Sequence, residues 1–491
     1  MSLSIPWGKV LVSDATRDTF RKNVKLVLKL GAGFFADAYD LFVIDIVLSI
    51  LEEEAKIDGT GLGFSSSSKS LIAAATSIGA VFGMLLFGIV GDYVGRRTGV
   101  LITGSLVAAG SLMSAICVRS ESMPLMAQLA LYRTILGIGI GGEYPLSASM
   151  ASEGAEASVR GRVVAGVFSM QGLGMLFSSL LGYIFVSLGA SLEFTWRFLL
   201  AFGAVPAFIA LYLRFNMHLH KTGSAAAKKE EPQATSVSRW DSTWFIIKEN
   251  KRALFATATA WFLLDVTFYG TGEFKHSVSN EIFPVDPNLT ASGRVATGAL
   301  FGIIISAIAI PGYLCSCIFI DSIGRWRLQV LGFLAMAAAY ILVGVAVRLG
   351  APAGLNLFVF GLTFFFTNFG PNTTTFIIPS EIYPSAVRST CHGISAAAGK
   401  FGAIIGAAGF PPCINALGLD GVMYICAAIA VAGLIVTVQL LDRSLVAQSA
   451  QRPKEVSCDE DSSTASASVK RSCSETHREQ SQCTASSEVA I

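Results

Sequence analysis

Charge is what this sequence has least of. Only 14% of its 491 residues are Asp, Glu, Lys or Arg, against 53% that are hydrophobic, whereas soluble chains carry about 25% charged residues. That deficit excludes a water-soluble globular protein. The net charge of +2 says nothing about partners, because its distribution matters more than its sum, and no nucleic-acid partner is expected. Cysteine supplies no framework. Cys315 and Cys317 lie two apart, on different faces of a helix, and Cys458, Cys473 and Cys483 fall in a polar tail, so all nine read as structurally incidental. The five histidines form no metal-ligand pattern, and no nucleophile–base pair lies at matched depth. Neither metal, cofactor nor enzyme chemistry is expected. A cleavable signal peptide is also missing, since the N-terminus stays polar and mixed in charge through Lys29.

What the chain does have is long apolar runs of about 20 residues or more, enough to cross ~30 Å of hydrocarbon. Twelve spans are predicted, at 27–50, 70–91, 99–118, 124–150, 161–188, 195–215, 251–272, 295–320, 327–348, 353–379, 390–415 and 421–441. The expected class is an all-α integral membrane protein. Basic residues concentrate before the first span (Lys9 to Lys29) and in alternate loops, at Arg96 and Arg97, Arg160 and Arg162, Lys221 to Arg252, and Arg325 and Arg327. By the positive-inside rule both termini are cytoplasmic.

The segment 216–250, with "AAAKKEEPQATS", reads as a flexible cytoplasmic linker between two six-helix bundles at 27–215 and 251–441. Residues 1–26 form a cytoplasmic N-terminal segment, and 442–491 a disordered, Ser-rich cytoplasmic tail open to phosphorylation. The bundles repeat one another. "GDYVGRRTG" at 91–99 is echoed by "DSIGRWR" at 321–327, pairing Asp92 with Asp321; Glu153 and Arg160 match Glu381 and Arg388; Asp37 matches Asp265. All three matches share one spacing along the chain, to within a single position. Parallel duplication of a six-helix unit is the organisation of a rocking transporter with its site between the halves. In the motif at 91–99 the glycines allow a tight turn, and Asp92, Arg96 and Arg97 can pair across helix ends, with Asp321 and Arg325 doing the same in the second half. Such pairs would hold one access state closed. The duplicated motif resembles the signature of the major facilitator superfamily.

Depth organises the intramembrane polar residues. Asp37 lies between three and four helical turns beyond Lys25, as do Gln171 beyond Arg160, Asp265 beyond Lys251 and Lys400 beyond Arg388. Spans four and ten run the other way, placing Glu143 and Asn372 between two and three turns before Glu153 and Glu381. At about 1.5 Å per residue all six stand ~13–21 Å above one boundary. That layer is the candidate site. Trp261, Asp265 and Tyr269 share a helix face at i, i+4, i+8, and Tyr144, Gln171 and Asn372 add polar groups. Convergent donors around a single deep lysine suit an oxyanion. Neighbouring carboxylates would repel that anion unless protonated, and burial disfavours their charged form, so anion and proton should bind together.

Duller readings stand beside these. Asp40 and Asp45 can be helix-end or loop-facing groups, Arg133 can pair with a carboxylate for packing, and Trp261 and Tyr269 alone would suit core packing. The glycines of "GIGIGGEYPL" (137–146), Gly79, Gly83, Gly402 and Gly406 fit close helix packing. "NLT" at 288–290 is a candidate N-glycan acceptor at Asn288.

"GFFADAYDLF", "GIGIGGEYPLSA", "WFLLDVTFYG", "NFGPNTTTFIIPSEIYP" and "CHGISAAAGKFGA" resemble the phosphate:proton symporter family of the major facilitator superfamily, over roughly residues 25–441. The resemblance implies phosphate contacts from Tyr144, Gln171, Trp261, Asp265, Tyr269, Asn372 and Lys400. It implies proton handling by Asp37, Asp40 and Glu143, with Asp265 coupling both, at the plasma membrane. The family usually carries aspartate where this chain has Glu143; the extra methylene could alter proton affinity or widen the range to glycerophosphodiesters and other organic phosphates. A phosphate sensor signalling through its tail is the alternative of another class.

Overall fold

Hydrocarbon offers no partner for a free backbone N–H or C=O, so a spanning segment must satisfy both internally, and the helix does this. The computed structural model describes residues 14–58, 66–119, 123–215, 239–283 and 288–451, and no strand occurs among them. The first half holds α1 (Asp14–Asp58), α2 (Ser66–Tyr93), α3 (Arg96–Ala115), α4 (Leu125–Gly154), α5 (Arg160–Ser187), α6 (Leu192–Phe202) and α7 (Ala204–Phe215). Then follow α8 (Arg239–Glu249), α9 (Lys251–Gly272), α10 (Lys275–Ile282), α11 (Ala291–Ile323), α12 (Arg325–Arg348), α13 (Ala353–Asn368), α14 (Pro371–Ile382), α15 (Arg388–Leu440) and α16 (Arg443–Gln451).

Ten helical stretches among the described residues are long and apolar enough to cross a membrane, with α6–α7 and α13–α14 each forming one broken pass. α15 is two helices meeting at Gly418, whose φ of 72° is non-helical. α1 covers the first expected span and falls outside the ten because Asp37, Asp40 and Asp45 interrupt its apolar run. Counting α15 twice and adding α1 reproduces the twelve expected passes. Large apolar side chains such as Leu86, Phe208 and Leu334 are exposed around the outside, as lipid contact requires.

Three segments depart from expectation. α1 begins at Asp14, well before residue 27. The described end of the expected flexible linker is the helix α8. The expected disordered tail starts with α16, because Asp442 caps it through the N–H of Ser444 at 2.7 Å and Val446 is buried. Residues 216–238, and the tail beyond 451 with Cys458, Cys473 and Cys483, lie outside the described residues. Thr290 of the "NLT" triplet caps α11, accepting from Gly293 N at 3.1 Å.

The repeat is visible in backbone geometry. Gly95 and Gly324 occupy matching places in the duplicated motif, and both have positive φ, 120° and 89°, with ψ near 145°. A side chain there would be strained, so glycine makes the turn into α3 and into α12. Elsewhere glycine permits backbone contact. A Cβ on Gly83 would collide with the Ile138 carbonyl, and one on Gly141 with the Ala80 carbonyl, so α2 and α4 interlock reciprocally. Gly402 and Gly406 bring α15 equally close to α9.

Backbone cannot retreat from an added side chain at such a seam. Gly83→Val or Gly141→Val should therefore cost about 1–3 kcal/mol or more, read as a lower melting temperature in detergent. Gly354→Ala, where nothing lies within 4 Å, should leave it unchanged.

Candidate functional site

The polar layer assembles around Lys400. Its side chain is 1% exposed, donates to the Tyr269 hydroxyl, and carries its ammonium 3.8 Å from the Tyr269 ring centroid and 5.2 Å from that of Tyr144. Asp265 lies one turn before Tyr269 on α9. Lys400 is the charge acting on it, and the Trp261 indole reaches its carboxyl. Asp265 Oδ2 is buried with no hydrogen-bond partner. Gly399 explains how Trp261 fits: a Cβ there would collide with the indole ring. Trp261, Asp265, Tyr269 and Lys400 thus come from the α9–α15 seam, and Tyr144 reaches them from α4, 6.3 Å from Trp261 between ring centroids.

Gln171 and Asn372 join through a residue that the depth argument missed. Tyr313, on α11, donates to Gln171 Oε1 at 3.2 Å and accepts from Asn372 Nδ2 at 3.3 Å. It lies about two turns before Asp321, ~12 Å from the same boundary, so the same ruler applied to span eight would have found it. Phe168 and Phe376 stack at 4.7 Å beside this group, and Phe376 also touches Tyr144 at 6.0 Å and Trp261 at 6.3 Å. The expected anion site is therefore walled by aromatics.

Glu143 does not share that wall. Its carboxylate is ion-paired to Arg214 of α7 and accepts from Thr103 and Ser147, each at 3.1 Å. Both side chains are 1% exposed. Gly33 makes the room, since a Cβ there would collide with both groups. Sequence reading passed over Arg214 because it ends a span, where arginine ordinarily reaches water. Asp37, one turn along α1, is buried with Oδ2 unpartnered, facing Glu143, Arg214, Asp40 and Lys400. It connects the ion pair to the site. Asp40 and Asp45 are buried within α1, and each faces a helix end: Asp45 accepts the backbone N–H of His276 in the first turn of α10, and Asp40 lies against Gly203, where α6 meets α7. Asp40 accepts from Ser111 at 2.8 Å, and Arg133 donates to the Asp40 backbone carbonyl, with no ion pair to its carboxylate among the described residues.

Charge pairs close the layer from the face that carries the basic loops. Arg96 reaches Glu153 at 2.5 Å, and Arg388 reaches the same carboxylate at 2.9 Å. Arg325 holds Glu381 through two bonds of 2.9 Å and Asp321 at 2.8 Å. Asp92 does more than pair with Arg96, 3.6 Å away; it accepts the N–H groups of Ser389 and Thr390 at 3.2 and 2.8 Å, capping α15. Asp321 mirrors it, accepting the N–H of Arg162 at 3.1 Å in the first turn of α5. Arg97 stands apart and bonds the Phe215 carbonyl at 2.8 Å. Arg160 is buried where α5 begins. On the opposite face Arg294 of α11 pairs with Glu53 of α1. The site residues Asp265, Tyr269, Asn372 and Lys400 are each 3% exposed or less.

Twelve passes, a duplicated turn and a sealed polar centre describe one kind of molecule. The family model for the sugar (and other) transporters matches residues 26–442. The chain belongs to that family, within the major facilitator superfamily. It is 35% identical over 438 residues to putative inorganic phosphate transporter 1-13 of Oryza sativa subsp. japonica, covering 81% of this chain and 84% of that one. It is 34% identical over 485 residues to probable inorganic phosphate transporter 1-6 of Arabidopsis thaliana, covering 88% and 93%. Among solved structures, the proton:xylose symporter XylE bound to 6-bromo-6-deoxy-D-glucose superimposes with a TM-score of 0.69 at 19% identity, covering 86% of this chain and 97% of that one. A partially occluded inward-open form of XylE from E. coli gives 0.67. These likenesses establish the fold.

Breaking a buried ion pair from one side leaves a stranded charge, whereas replacing both partners often costs little. Arg214→Met should lower stability by about 3–5 kcal/mol, measured by thermal unfolding in detergent. Adding Glu143→Leu to that variant should recover most of the loss.

Proposed function

We propose that this family member is a plasma-membrane symporter that carries inorganic phosphate together with protons, through alternating access to the Lys400 site. The observation that carries the proposal is a buried lysine beside a carboxyl whose second oxygen has no partner. Lys400 supplies the charge an oxyanion needs, with the Tyr269, Tyr144, Trp261, Gln171 and Asn372 groups orienting it. Asp265 repels the anion when ionised and donates to it when protonated. Loading the anion therefore favours loading a proton, which is symport. Asp37 and Asp40, on α1, extend the proton route, and Glu143 acts on it through Arg214. The relatives' names point to phosphate as the oxyanion. The Glu143 carboxylate is taken up by Arg214, Thr103 and Ser147, contacts that do not favour a larger organic phosphate.

In the proposed cycle the bundles 27–215 and 251–441 rock about this site, with residues 1–26, 216–250 and the tail 442–491 on the cytoplasmic side, as the distribution of basic residues favours. Asp92, Arg96, Glu153, Asp321, Arg325, Glu381 and Arg388 hold the cytoplasmic side shut in one state and separate in the other; Arg97 and Arg160 support the helix ends beside them.

The deciding measurement is labelled phosphate uptake by the purified protein in liposomes, with and without an inward proton gradient. The gradient should drive uptake, glycerophosphocholine should not compete, and Asp265→Asn or Lys400→Met should lower uptake by about 100-fold or more. Absence of wild-type flux, or strong competition, overturns the proposal. For the gate, Glu153→Gln removes the carboxylate shared by Arg96 and Arg388. A cysteine placed at Ser149 should then react roughly tenfold faster with an impermeant thiol reagent from the cytoplasmic side, the shift that about 1.4 kcal/mol of lost closed-state stability gives.

A further inference from the structure

Beyond Lys400, toward the face opposite the basic loops, lies a second set of buried charges. Glu273 continues the four-residue spacing of Trp261, Asp265 and Tyr269, and it is the residue that closes α9, one past the end of the span at Gly272. Lys275 opens α10. They are 2% and 1% exposed. Lys275 Nζ, Glu273 Oε2 and the Nε and Nη1 atoms of Arg133 all lack hydrogen-bond partners among the described residues. Buried polar groups of this kind are costly unless a ligand or water completes them. The charges facing Glu273 are Lys400, Arg133, Asp45 and Lys275; those facing Lys275 are Asp45 and Glu273. Asp45 is already engaged by the backbone N–H of His276.

Phe42 lies between Lys275 and the Tyr269 ring of the central site. Lys275 Nζ stands 5.0 Å from the Phe42 ring centroid, and the same ring lies parallel to Tyr269, 6.1 Å away. A cleft of about 230 Å³ nearby is bordered by Phe274 and His276, the two neighbours of Lys275 in the chain, and by Lys69 and Glu52, while Lys275 and Glu273 themselves do not line it. Phe42 thus stands between Lys275 and Tyr269, while Glu273 faces both Lys275 and Lys400.

We propose that Lys275 and Glu273, with Arg133 behind them, form an outer anion site where phosphate, as a partly protonated oxyanion, is held before it passes Phe42 to Lys400. This rests on the phosphate reading above. Dihydrogen phosphate carries both acceptor oxygens and O–H donors. Its acceptors match the unpartnered N–H groups of Lys275 and Arg133, and its hydroxyls match the open oxygen of Glu273. No neutral solute would also balance the lysine. Protonation of Glu273 governs occupancy, because an ionised carboxylate takes Lys275 for itself. Burial pushes the Glu273 carboxyl up to about 8, against the pull of Lys400 and Arg133. Below that value the carboxyl keeps its proton and Lys275 is open to the anion. As pH rises through it, the carboxylate forms and affinity for the anion falls.

The test uses the full chain in liposomes. Lys275→Gln should raise the KM for phosphate by about tenfold with little change in kcat, and Lys275→Arg should hold KM within about threefold of wild type. With KM expressed as the concentration of dihydrogen phosphate, which removes the titration of the substrate itself, Glu273→Gln, fixed in the neutral form, should abolish the rise between about pH 7 and pH 9 that wild type shows. An unchanged KM in Lys275→Gln, or the alkaline rise persisting in Glu273→Gln, overturns the outer site while leaving the phosphate reading intact. A wild-type protein that moves no phosphate overturns both. Should Lys275→Gln fail to fold, judged by its melting temperature, the pH profile of Glu273→Gln decides alone.

Discussion

A charge taken into a low-dielectric interior must find an opposite charge or lose its own, and this constraint sorts the polar residues of the transporter into two kinds. Some are matched. Glu143 has Arg214 and two hydroxyls; Glu381 has a two-bond grip from Arg325. Others are left with open atoms: Asp37, Asp265, Glu273 and Lys275. The matched groups hold helices in place. The unmatched ones line the path along which an anion and a proton are proposed to move, because only a group with spare bonding capacity can take a ligand and release it.

Helix ends follow the same logic. The first turn of a helix presents unpaired N–H groups and a partial positive charge. Asp92 satisfies that need for α15, and Asp321 does so for α5. Each duplicated aspartate therefore reaches out of its own half, and the two halves close on each other through equivalent contacts. The shared carboxylate of Glu153, gripped by Arg96 from one side and Arg388 from the other, adds a third crossing. Polar contacts of this sort can break and re-form, which suits a surface that the proposed rocking would part. The dry glycine seams between α2 and α4 and between α9 and α15 suit helices that stay together.

Much of this was legible in the chain. Spans of fixed length, the constant rise of the helical backbone and the cost of buried charge together predicted the all-helical class, the twelve passes, the duplicated turn and the layer holding Asp265, Gln171, Asn372 and Lys400. Hydrocarbon makes those features nearly one-dimensional, so distance along the sequence measures depth. The short helices α8 and α16 escaped because their polar sequences carry no such ruler, and α16 depends on a cap and on one buried valine.

Rotation about each helix axis was left to the tertiary structure. Depth alone placed Glu143 with Lys400; packing turned it toward Arg214, three helices further along the chain. Tyr313 bridges Gln171 and Asn372 across 142 and 59 residues, a link that no local spacing encodes. Composition and periodicity determined how deep each polar group sits. Which neighbour it meets was decided by the shapes of several helices packed at once, because orientation in a bundle is a property of the whole contact surface and of no single segment.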